Sequence, residues 1–197
     1  MSGLSEVSVL IAQRARDIEK AREIFTAEIR GFASSILGSV RVLRTEPWTR
    51  ARVRVDLPRE IETEAKMSSE FSNQFAITRA SLKFKKGTNF RHIADVRAGI
   101  EFDDDTGVFA WQLNLVPSSS YNRIDDEIWH RWKAHPSGGS PGARHFDKAN
   151  TVRFLSRPVG PELTGEIAFN DTKTVLEFLL TPESEAGLAE AVGLEDE

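Results

Sequence analysis

The chain has 197 residues, enough for one domain with a sizeable core, with 40% hydrophobic and 28% charged residues. Its net charge of −4 implies no bulk attraction to nucleic acid or anionic lipid, and the absence of cysteine excludes disulfides, thiolate nucleophiles and cysteine metal sites. No apolar run approaches the roughly 18 residues of a membrane span, and Glu6, Arg14, Arg16 and Asp17 interrupt any signal-peptide core. The sequence thus reads as a cytoplasmic protein with no membrane contact, forming a single domain over 1–197.

The first element is the longest. From Leu4 to Leu37 there is no proline and one glycine, Gly31. Leu4, Ile11, Ile18, Phe25 and Phe32 recur at seven-residue spacing, with Val7, Ala15, Ala21, Ile29 and Ile36 between them. This spacing predicts an amphipathic helix over 1–37, about 50 Å long at its full extent. Leu4, Val7, Ile11, Ile18, Phe25, Ile29 and Phe32 form its interaction seam. That seam either docks on the chain's own sheet or pairs with a second copy as a coiled coil.

Region 38–116 reads as strands. Val40 and Val42 alternate, and so do Ala51, Val53, Val55 and Leu57, with Arg50, Arg52 and Arg54 on the opposite face and a turn at Glu46–Thr49. Residues 58–70 suit a helix or a strand. Three clearer strands follow at Ala80–Phe84, Ala94–Phe102 and Phe109–Leu115, the last two joined by a hairpin turn over Asp103–Gly107. One polar face per strand predicts an antiparallel sheet covered on one side by helices.

Region 117–197 is mixed. Tyr121, Ile124, Ile128 and Trp132 stripe a helix over 121–133, acidic early and basic late as its dipole favours. Residues 134–150 have no periodicity and read as a loop. A strand is expected at Thr151–Ser156 and another around Ile167 and Phe169, with Thr172–Leu180 as its hairpin partner or a helix. A last helix is expected at Glu183–Val192. The fold class is α+β: an antiparallel sheet of about five to seven strands, helix-covered, behind a long N-terminal helix.

Catalytic signatures are absent. There is no phosphate loop, dinucleotide fingerprint, zincin helix or nucleophile elbow. His145 and Asp147 have the spacing of an iron triad, but no later histidine completes it. Asp126 and His130 share a helix face, so His130, His145 and Asp147 are the weak metal candidates. Glu101, Asp103 and Asp105 lack the rest of a calcium loop. They also lack the acid and lysine of a metal-dependent nuclease, because Gln112 and Asn114 fill those places.

The positive signal is basic. Residues 41–100 hold 13 Lys/Arg against 7 Asp/Glu, whereas residues 151–197 hold 3 against 10. Arg50, Arg52, Arg54, Arg79, Lys83, Lys85, Lys86 and Arg91 would form a phosphate-binding sheet face if their strands are neighbours. The leading expectation is a non-catalytic interaction or assembly module whose N-terminal helix meets a protein partner or a second copy. The alternatives are a nucleic-acid-binding module using the basic face and a metal-dependent enzyme. No cofactor is expected.

Overall fold

The computed structural model describes residues 7–16, 20, 43, 48–57, 74–103, 106–121 and 123–193, with the side chains of 74–78 and 102 left aside. Helix α1 spans 7–16, and Lys20 is also helical. The rest of the expected helix over 1–37 lies outside the described residues, as do the ambiguous stretch 58–70 and the expected strand residues Val40 and Val42.

Seven described strands form one antiparallel sheet: β1 (Trp48–Arg50), β2 (Val53–Asp56), β3 (Gln74–Lys86), β4 (Asn89–Asp103), β5 (Val108–Pro117), β6 (Arg144–Phe146) and β7 (Thr151–Pro158). Their order across the sheet is β1-β2-β3-β4-β5-β7-β6. The expected α+β class therefore holds. Three further helices follow the central strands: α2 (Ile124–Ala134), α3 (Gly165–Leu179) and α4 (Pro182–Ala191). No described helix is long and apolar enough to cross a membrane.

Alternation decides which face is core. Val96, Ala98 and Ile100 of β4 stand opposite Leu115, Leu113 and Trp111 of β5, and all six are buried. α2 and α3 pack over the β5–β7–β6 end of this face. At the Leu113–Asn114 step the register slips, so that Leu155 faces Leu113 but Arg153 faces Asn114. Phe154 is the extra residue of this bulge, and both it and Leu155 are buried. The Trp132 indole N–H of α2 donates to the Phe154 carbonyl at 3.2 Å, which ties the helix to the bulge.

Three expectations are corrected. Trp48 and Thr49, expected in a turn, belong to β1, and a turn lies at Ala51–Arg52; Glu46 and Pro47 lie outside the described residues. Ala51 has φ of +28°, so the chain reverses between Arg50 and Val53 instead of running straight through. The strand expected around Ile167 and Phe169 is the first half of α3. Thr164 caps that helix by accepting from the Ile167 N–H, and buried Ala168, Thr172, Val175, Leu176 and Leu179 fall at helical spacing. The loop over 134–150 contains β6, recruited by the β7 edge, and one 3-10 turn at Asp147–Ala149. Gly107, at φ +69°, closes the β4–β5 hairpin by donating its N–H to the Asp103 carbonyl at 2.7 Å.

Candidate functional site

Each predicted site residue falls into one of three surroundings. The basic residues do not form a single face. Arg50 stands opposite Val53 on the helix-bearing side and donates to the Leu180 carbonyl at 3.4 Å, while Arg52 sits in the turn over the Phe84 ring at 5.0 Å. Arg54 faces Lys83 on the other side, where both pair with Asp56, and Arg79 pairs with Asp95. Burial pushes the Asp95 carboxyl up, but hydrogen bonds from Arg79 and His92 outweigh it and hold the group below the usual carboxylate range. Lys85, Lys86 and Arg91 remain exposed at the β3–β4 hairpin and make no ion pair among the described residues.

The same polar face becomes buried further along the sheet. Gln112 lies opposite Gly99 and Ser156, and Asn114 opposite Arg97 and Arg153. Gln112, Asn114, Asp103 and Ser156 are all buried. Asp103 accepts from Arg153 Nη1 at 3.3 Å and from Ser156 Oγ at 3.2 Å, although β4 and β7 are separated by β5. Two strand spacings are about 9–10 Å, so this contact requires the sheet to curl with its polar face concave. Gln112 Nε2, Asn114 Oδ1 and Arg153 Nε have no hydrogen-bond partner in this hollow. Sequence reasoning placed Gln112 and Asn114 on the uncovered polar face and Asp103 in the hairpin turn. The available signal was the chemistry of that face, amides and a hydroxyl in place of the usual charges.

Glu101 belongs to the same strip. Burial raises its carboxyl above the ordinary range, against the pull of Arg153 and Arg97. A raised carboxyl favours the fold in its neutral form; that contribution is complete below the ordinary glutamate range and is lost as pH rises through the folded value. Glu101→Gln is therefore expected to raise the thermal midpoint at pH 7 and to leave it unchanged below about pH 4. A lower midpoint at pH 7 would show that the charged carboxylate is the form the fold uses.

The histidine candidates separate. His145 in β6 stands opposite Val152 and faces the start of α2. Its Nε2 lies 2.7 Å from Asp125 Oδ2 and 3.6 Å from Asp126 Oδ1, while its Nδ1 lies 3.1 Å from Asp147 Oδ1. Trp129 stacks on the ring at 6.2 Å between centroids. His130 is exposed and lines a polar hollow with Asp126, Glu127, Trp129, Arg131, Lys133 and Glu190. The structure therefore unites His145 with Asp147 and adds Asp125, which sequence reasoning read only as an early acid of the helix.

Val7 and Ile11 are the seam residues within the described part of α1; Leu4, Ile18, Phe25, Ile29 and Phe32 lie outside it. Every described residue of α1 is exposed. Val7 is 52% exposed, Val9 58%, Leu10 68% and Ile11 66%. No model of a known protein family, curated protein or solved structure matches the chain.

Proposed function

We propose that the protein is a non-catalytic assembly module whose N-terminal helix pairs with a second copy of itself. One observation carries this reading: Val7, Leu10 and Ile11 line one side of a helix at spacings of three and four, yet all three are largely exposed. Residues 7–16 of α1 bury none of their side chains, and an isolated helical stretch of that kind is marginal in water. Burying its apolar stripe is the ordinary source of its stability. The seven-residue recurrence of Leu4, Ile11, Ile18, Phe25 and Phe32 in the sequence is the repeat that two supercoiled helices satisfy mutually.

Leu10→Glu with Ile11→Glu tests this. Both side chains are exposed, so the sheet domain should keep its melting midpoint. Association should weaken by at least about 100-fold, because each buried Leu or Ile contributes about 1.5–3 kcal/mol. Light scattering across a dilution series reads the change. Loss of folding would show that the stripe is core, and unchanged association would place the contact elsewhere.

A further inference from the structure

We propose that Asp125, Asp126 and His145 form a binding site for a first-row divalent cation of the zinc or manganese type. One ligand atom from each of the three lies within 4.8 Å of the other two. The helix N-terminus accounts for acids at Asp125 and Asp126. It does not account for an imidazole delivered from another element with its Nε2 aimed between them. Nor does it account for Asp125 itself, whose side chain is only 5% exposed and whose Oδ1 has no hydrogen-bond partner. A buried carboxylate carries a desolvation cost that a cation seated against it offsets.

The geometry suits such an ion. With bonds of about 2.0–2.1 Å, ligand atoms of a tetrahedral site stand about 3.3 Å apart. The 3.6 Å from His145 Nε2 to Asp126 Oδ1 is close to this spacing. The 2.7 Å from Nε2 to Asp125 Oδ2 is a contact in which a proton occupies the cation's place, and it must open by roughly 0.6 Å. When the ion takes the Nε2 lone pair, Nδ1 keeps its proton beside Asp147, a carboxylate behind a ligating histidine. Asp126 is 64% exposed and lines the polar hollow next to Trp129, which gives the ion a route in and leaves water to complete its coordination. One imidazole and two carboxylates are borderline-to-hard donors, which suit Zn2+ or Mn2+ better than soft ions such as Cu(I).

The test is titration of the intact chain with ZnCl2 and with MnCl2, followed by calorimetry. Saturable uptake of one equivalent of either ion is expected. Asp126→Asn, at an exposed position, and His145→Gln should each weaken it at least about 10-fold, and Asp147→Asn should weaken it less. His130→Ala should leave it unchanged. Circular dichroism of each variant verifies that the fold persists. No saturable uptake of either ion would overturn the proposal. So would uptake that survives in folded Asp126→Asn and His145→Gln, or that disappears with His130.

Discussion

Trp132→Ala is expected to destabilise the fold by about 3–5 kcal/mol, which lowers the melting midpoint by roughly 10 °C for a domain of this size. Trp132 is fully buried where α2, β7 and α3 meet. Its ring meets Phe154 edge-on at 5.1 Å and Phe178 at 4.9 Å, and it stacks on His135 at 5.3 Å. Truncation opens a cavity among three elements that cannot collapse together, and the indole N–H that holds the bulge carbonyl of Phe154 disappears. Trp132→Phe should cost less, since the ring fills most of the space and chiefly the hydrogen bond is lost. Chemical denaturation with an unchanged slope measures both. A loss below about 1 kcal/mol for the alanine variant would mean that the helices are not anchored through this residue.

Asp103→Ala should cost a similar amount, about 3–5 kcal/mol, by a different route. The carboxylate and Arg153 are both nearly excluded from solvent, at 6% and 12% exposure of their side chains. Removing the acid leaves a buried guanidinium without this carboxylate and a Ser156 hydroxyl without its acceptor. The expense comes chiefly from the orphaned charge rather than from the pair's net attraction. It follows that Asp103→Ala combined with Arg153→Met should recover part of the loss, because the stranded charge is gone. A double variant as unstable as the sum of the two single variants would contradict this.

The sheet was legible because its strands alternate cleanly. Val96, Ala98 and Ile100 against Trp111, Leu113 and Leu115 expose the core face without any tertiary knowledge. The first half of α3 reads as a strand because Ile167 and Phe169 sit two apart; its second half matches the helix that was one of two expectations over Thr172–Leu180. The turn at Ala51 carries no glycine or asparagine, so its left-handed backbone left no mark in the composition. The pairing of His145 with Asp125 spans 20 residues and depends on β6 joining the β7 edge, which no local pattern announces. Burial of Gln112 and Asn114 goes with cross-strand partners such as Arg153 and Ser156, which neither residue's own strand announces.

The proposed pairing of α1 with a second copy of the chain would cover its exposed apolar stripe. Sedimentation equilibrium of the unmodified protein over a wide concentration range tests it most directly. The expected mass rises with concentration from the 22.0 kDa of one chain towards twice that value. A mass fixed at 22.0 kDa throughout would contradict it.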